Sequence, residues 1–248
     1  MKKIILSVLL FCSALQAAPY IGVQGTYAHH KANAKLQGKD WVNRSATNAG
    51  RPCRVSKSFG LHQGALGLGA VVGYEKNFTP VFSGFIEANY TYFNSHKSKN
   101  NIDVYDDDFN ITNELAKEQV SLRMRHQFGM MPGINIAITE NLSGVMACGL
   151  TMTQYSVTGA HNSGTRVWPE NMKSKKAFIF GVEPTLGLKY KFSNRMSTRL
   201  TVGYNMGQNK RIVDNYIGES DLVNAGVNSS VWIKPRSLNI RAAVIFDF

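Results

Sequence analysis

Taken two residues at a time, long stretches of this chain fall into two unlike faces. "YIGVQGTYAHH" sets Ile21, Val23 and Tyr27 against Gly22, Gln24 and Thr26, and "ALGLGAVVGYE" sets Leu66, Leu68, Ala70, Val72 and Tyr74 against Gly67, Gly69, Val71 and Gly73. "FSGFIEANYTYF" opposes Gly84, Ile86, Ala88, Tyr90 and Tyr92 to Ser83, Phe85, Glu87, Asn89 and Thr91. A further run puts Val120, Leu122, Met124, His126, Phe128 and Met130 on one side and continues through Ile134, Ile136 and Ile138. In 143–157 the greasier face is Met146, Cys148, Leu150 and Met152. "FIFGVEPTLGLKYKF" aligns Phe178, Phe180, Val182, Leu186, Leu188, Tyr190 and Phe192, and the next run aligns Thr198, Leu200, Val202, Tyr204 and Met206. The run "SLNIRAAVIFDF" carries Leu238, Ile240, Ala242, Val244, Phe246 and Phe248 on one face. Alternation with period two is the mark of a strand whose sides meet different environments.

Eight such runs are joined by connections of unequal length. "EKNFTP", "TENLS" and "SNR" are turn-like, whereas roughly residues 30–62, 94–118, 157–176 and 207–232 read as long loops. Short and long alternate, so every long loop lies at one end. That is the plan of an eight-stranded antiparallel up-and-down transmembrane β-barrel, with three short periplasmic turns and four long external loops. In hydrocarbon every backbone polar group must be paired within the protein, so strands cross only as a closed barrel. The greasy face then meets lipid. Tyr74, Phe78, Tyr90, Tyr92, Tyr190, Phe192, Phe246 and Phe248, near strand ends, suit two interfacial girdles. A soluble barrel or sandwich would turn the same face inward. Gly, Ser, Thr and Asn with embedded charges on the opposite face suit a crowded polar lumen instead. A ten-stranded barrel, with an extra hairpin in a long loop, stays open. Pro132, Pro184 and Pro235 fall inside strands, where a ladder donor is lost. A bulge at Pro132–Gly133 would flip the phase there, so the facing of the residues around it stays open.

The start of the chain sets the compartment. "MKKIILSVLLFCSALQAAPY" has two lysines, an apolar core and then small residues, the plan of a secretory signal cut after Ala17. Its apolar core is shorter than a bilayer span. Residues 18–248 then form the barrel domain. The formal net charge of +12 falls to +10, because Lys2 and Lys3 leave and no acid does. Cys53 and Cys148 remain, one in a long loop and one in the membrane span, and two free thiols are expected.

The segments "PYIGVQGTY", "GAVVGYE", "GVEPTLGLKYKF" and "NIRAAVIFDF" resemble the small eight-stranded outer-membrane barrels of Gram-negative bacteria, of the OmpA-transmembrane, OmpX and opacity-protein type. The resemblance covers the strands and not the loops. It implies insertion by the barrel-assembly machinery, with Phe246 and Phe248 in the assembly signal, and loops exposed at the cell surface. Family members include adhesins, invasion and serum-resistance factors, structural proteins and narrow pores.

Candidate chemistry is sparse. Glu87, Glu183, Lys189, Arg199 and Arg241 fall on the lumen face at middle depths. Buried charges persist when paired, so a salt-bridge network filling a small barrel is expected, with a charged pore constriction as the alternative. Lys31, Lys35, Lys39, Arg44, Arg51, Arg54 and Lys57 face one acid, Asp40, across the first long loop. Such a loop suits outer-membrane lipopolysaccharide phosphates or an acidic host surface or matrix ligand, or else is simply solvated. Nucleic acid fits poorly with an exported membrane protein, and a monomer is expected. Asp103, Asp106, Asp107 and Asp108 lack the glycine and distal Glu of an EF-hand loop. Gly67, Gly69 and Gly73 miss the dinucleotide-binding spacing and read as packing positions. His29, His30 and His62 form a remote metal candidate. His126 lies at the outer interface without a serine two residues away on its face, so no catalytic residue and no cofactor is assigned. The expectation is a surface protein with an adhesive or structural role. A small porin is the alternative, and a lipid-modifying enzyme comes third.

Overall fold

The computed structural model describes residues 18–42, 51–95, 98–104, 116–162, 175–214 and 228–248. Ten strands occur in the order β1 (Ala18–Val42), β2 (Arg51–Asn77), β3 (Phe82–Ser95), β4 (Ser98–Val104), β5 (Ala116–Ala137), β6 (Leu142–Asn162), β7 (Lys175–Ser193), β8 (Met196–Gly207), β9 (Lys210–Asp214) and β10 (Asn228–Asp247). Eight form the wall, in the order β1-β2-β3-β5-β6-β7-β8-β10, and β10 returns to β1 in an antiparallel ladder that closes the barrel. The two short strands continue interrupted neighbours. β3 pairs with Tyr92-facing His126 through Ile136 of β5, and β4 takes up the same strand from Ala116 to Leu122. β9 extends β8 along β10 in the same way. The wall therefore has eight strands.

Each short connection is fixed by a local hydroxyl. Thr79 Oγ1 accepts from the amide of Phe82 at 2.9 Å, and Thr139 Oγ1 accepts from the amide of Leu142 at 3.0 Å. Ser193 Oγ takes the amide of Arg195 at 3.3 Å. These side-chain acceptors stand in for ladder partners where the chain reverses. All three turns lie at one end, the turn end; the other is the loop end.

The predicted facing holds through the middle of the wall. Ile21, Val23, Leu66, Leu68, Val72, Ile86, Met130, Met146, Leu150, Phe180, Leu186, Leu200, Val202, Ile240 and Val244 are all exposed on the outside. Gln24, Thr26, Glu87, Asn89, Thr91, Thr151, Glu183, Asn205, Asn239 and Arg241 are buried inside. A solvent-exposed wall this apolar is a membrane-facing wall.

Three expectations need correction. Much of each long loop is strand: β1 runs to Val42 and β2 starts at Arg51, pairing in unbroken register from Ala18↔Glu75 to Val42↔Arg51. Ladder hydrogen bonds continue beyond the greasy band because alternation continues there with its polarity exchanged. Second, the register of β5 on β6 slips between Met124 and His126 and not at Pro132, which keeps phase and faces outward. The slip at Arg125 puts Leu122 and Met124 inside while His126, Phe128 and Met130 stay outside. Third, the lumen is not uniformly polar. Tyr20, Val71, Phe85, Val145, Ala243 and Ile245 form an apolar layer towards the turn end. Ala28, Ala32, Ala34, Leu61, Phe93, Met124, Tyr155, Ile179 and Ile233 belong to a larger one towards the loop end.

Candidate functional site

Among the described residues, three ion pairs cross the lumen. Nearest the turn end, Lys189 Nζ lies 2.5 Å from Glu75 Oε2. Glu75 Oε1 also accepts from Ser83 Oγ at 2.7 Å and from Asn135 Nδ2 at 2.8 Å. One layer up, Arg199 Nη2 donates to Glu87 Oε2 at 2.6 Å, and the Tyr20 hydroxyl donates to the same oxygen at 2.9 Å. The Arg199 guanidinium stands 5.6 Å from the centre of the Phe85 ring, a cation–π distance. Higher still, Arg241 Nη1 lies 2.5 Å from Glu183 Oε1, and Asn239 Nδ2 donates to Glu183 Oε2 at 3.0 Å. Asn205 Nδ2 donates to Thr151 Oγ1 at 2.7 Å beside them, and Gln24 Nε2 donates to Thr91 Oγ1 at 2.9 Å.

All five lumen charges read from the sequence are thus buried and distributed over three separate pairs. Their bases answer acids one for one, which buried charge requires. Glu75 was absent from the sequence reading, although Tyr74 on the greasy face obliges its neighbour to point inward. Two glycines make room for this packing. A Cβ on Gly203 would collide with Glu183 Oε1, and a Cβ on Gly73 would meet the Tyr20 ring at 2.6 Å.

Above these layers the interior is sealed by the larger apolar cluster. His30 is wholly enclosed there, its ring edge-on to Phe93 and Tyr155 at 6.2 and 6.3 Å between centroids. Neither ring nitrogen has a partner, and Gln127 one layer below leaves both amide atoms unpaired. His29 and His62 sit on the outer wall with rings 6.5 Å apart. The three therefore occupy opposite faces of the wall, and strand alternation forbids a shared metal. No metal-holding group of His, Cys, Asp or Glu occurs among the described residues.

On the outside, His126 sits at the loop-end edge of the greasy band. Its Nδ1 is 2.8 Å from the Tyr90 hydroxyl, its ring packs on Tyr92, and Arg125 Nη1 donates to the Tyr92 hydroxyl at 3.3 Å. Tyr190 and Phe192 pack edge-on at the turn end, 5.1 Å between centroids. The amide of Phe248 donates to the Pro19 carbonyl at 3.1 Å, and Phe246 is exposed on the outer wall. Cys148 is a free thiol on the lipid-facing wall, and Cys53 pairs with Asp40 on the extension of β2.

Of the basic residues read as one loop, Lys31 and Lys35 are exposed on β1. Lys39 lies further along the same strand, and Arg51, Arg54 and Lys57 lie on β2. Arg44 lies outside the described residues, as do Asp106, Asp107 and Asp108, while Asp103 belongs to β4.

No family model and no curated protein matches this chain. Solved structures do. Neisserial surface protein A is 11% identical with a TM-score of 0.39, covering 90% of this chain and 97% of that one. The outer membrane protein OprG of Pseudomonas aeruginosa is 13% identical at a TM-score of 0.38, covering 94% and 97%. The outer membrane protease OmpT of Escherichia coli is 9% identical at 0.39, covering 92% and 97%. Likeness at this level carries no argument about activity; the fold rests on the chain's own closed register.

Proposed function

We propose that this chain is a surface barrel of a Gram-negative outer membrane, turn end to the periplasm, which acts in adhesion or envelope structure through its loop end and not through its lumen. One observation carries this reading. The interior is filled by three ion pairs and sealed by an apolar cluster whose members Phe93, Met124, Ile179 and Ile233 are at most 2% exposed. An eight-stranded wall leaves an interior just wide enough for side chains, and here side chains occupy it. In planar bilayers the protein should show little steady conductance. Large, stable, ion-selective channels from the unmutated protein would overturn the reading in favour of a narrow pore. On intact cells, protease should cut at the loop end, in the connections between β1 and β2 or between β6 and β7, and spare Lys76 and Arg195; the reverse pattern would invert the orientation.

Assembly is the second part of the proposal. Phe246 lies among the last pairs of the strand that closes the barrel, Phe248 follows that strand directly, and the barrel-assembly machinery is the proposed reader of that edge. Replacing Phe248 with Ala should reduce the heat-modifiable, folded form in the outer membrane, read as a band shift on unheated gels.

A further inference from the structure

The outer wall changes character abruptly where β10, β1 and β2 rise out of the greasy band. Register fixes the rows. Ile240, Tyr27 and Leu66 form an apolar row, and Leu238, His29 and Gly64 form the next. Above them come Arg236, Lys31 and His62 in a single row across three strands, then Lys234 beside Asn33, then Lys35 beside Trp232. Lys31, Lys35, Lys234, Arg236 and His62 are all exposed. Among the described residues no acid pairs with Lys31, Lys35, Lys234 or Arg236. Among the described residues, Glu75, Glu87 and Glu183 lie in the lumen, and Glu140 and Asp247 lie at the turn end.

Like charges directly opposite on neighbouring strands disfavour the pairing, since their Cβ atoms stand about 4.5–5.5 Å apart. Lys31 and Arg236 are such a pair, with Lys234 on the diagonal. A rigid ladder thus holds several cations within the compass of one anionic group. Its depth identifies that group. The row stands two rows above Tyr27 and Leu66, where hydrocarbon gives way to headgroups.

We infer that this β10-β1-β2 face is a docking site for the phosphorylated headgroup of a glycolipid in the leaflet at the loop end. Arg236 offers a planar two-pronged donor to phosphate oxygens. Lys31 and Lys234 supply neighbouring point charges. His62 borders them on the β2 side, and His29 lies one row below Lys31 on β1. Tyr27, Leu66, Leu238 and Ile240 just below are placed to lie along the acyl chains. The inference rests on the membrane placement proposed above, but not on whether the lumen conducts.

The test uses refolded protein in phosphatidylcholine nanodiscs, with bound lipid counted by native mass spectrometry. Bisphosphorylated lipid A, the same lipid A dephosphorylated and a heparin oligosaccharide are titrated in turn. The unmutated barrel should take up the phosphorylated lipid at least tenfold more tightly than the dephosphorylated one, and less so as salt rises. The K31A/K234A/R236A variant should lose at least tenfold of that affinity, whereas K76A/K191A at the turn end should lose none. Should the triple variant fail the band-shift test for folding, K31Q/R236Q replaces it. Equal uptake of the two lipids, or undiminished uptake by the folded variant, would overturn the inference. Heparin binding tighter than that of phosphorylated lipid would reassign the face to a soluble acidic glycan. Channel activity in the bilayer experiment would leave this result standing, so the two readings fail separately.

Discussion

Within the greasy band, β1 and β2 present Val23, Tyr27, Leu66 and Leu68 outward and Gln24 and Thr26 inward. A few residues further along the same strands, Lys31, Lys35 and His62 point outward, while Ala32, Ala34 and Leu61 are buried within. Backbone pairing and side-chain period are the same in both regions; only the polarity of the two faces is exchanged. The lower region is a membrane barrel, apolar outside and charged within. The upper region is built like a water-soluble barrel, with its apolar side on the inside. The contrast teaches that strand alternation records geometry alone. Which face is greasy records the solvent, so the point of exchange marks where the bilayer stops.

The comparison can be broken most forcefully from the inside. In the lower region, Glu183→Ala leaves Arg241 buried without its acid and should cost about 3–5 kcal/mol of unfolding free energy. In the upper region, Phe93→Ala empties an apolar core position and should cost a similar ~3–5 kcal/mol by cavity formation. The two are told apart by rescue. E183Q/R241M, which removes both charges, should recover much of the loss, and urea titration of lipid-reconstituted barrels reads it. Recovery of nothing would mean that the pair is not the origin of the cost.

The outer surface gives a sharper contrast at smaller magnitude. Leu200→Arg, in the middle of the lipid-facing wall, should cost about 2–4 kcal/mol. Arg236, a few residues beyond the band on β10, is already an arginine on the outside. Equal tolerance of arginine at 200 would remove the evidence for lipid contact. Gly203→Ala should cost about 1–3 kcal/mol, because its Cβ must displace Glu183 from the chamber. Combining it with Glu183→Ala should cost less than the two separately, since the nearest colliding atom, Glu183 Oε1, is gone and Thr185 Oγ1 alone remains close. Smallest of all, Lys35→Ala on the upper outer wall should stay within about 0.5 kcal/mol, measured by the same titration.

The same contrast explains what the sequence made legible. Facing could be read wherever lipid and lumen impose opposite demands, as from Ile21 to Tyr27, from Leu66 to Tyr74 and from Phe178 to Phe192. Above the band the signal inverts. "AHHKANAK" therefore looks like a basic loop unless one notices that Ala28, Ala32 and Ala34 keep the period. Leu122 and Met124 deceived for another reason. A one-residue slip at Arg125 moved them to the inner face while hydrophobicity stayed unbroken along Leu122, Met124 and Phe128. Pro132, by contrast, drew suspicion as a ladder breaker yet sits in regular register. The lumen charges were visible one by one, but their partners were not. Pairing Arg199 with Glu87 brings together residues more than a hundred positions apart, a matter of closure that no local pattern encodes. The basic face was half visible for the same reason. Lys31 and Lys35 stood out, but Arg236 and Lys234 arrive beside them only through the β1–β10 ladder.

That ladder also governs the order of events in folding. It runs from Tyr20↔Asp247 to Lys39↔Asn228 and joins the first wall strand in chain order to the last. Loop closure over so many residues costs only logarithmically more than over a short hairpin, but contacts of this separation are the slow ones to find. Until they form, β1 and β10 are two bare sheet edges, each carrying unpaired amides and carbonyls that hydrocarbon cannot satisfy. The neighbouring hairpins, closed by Thr79, Thr139 and Ser193, can assemble early and locally. The open sheet must then be sheltered until β10 meets β1, and that single encounter removes both edges at once.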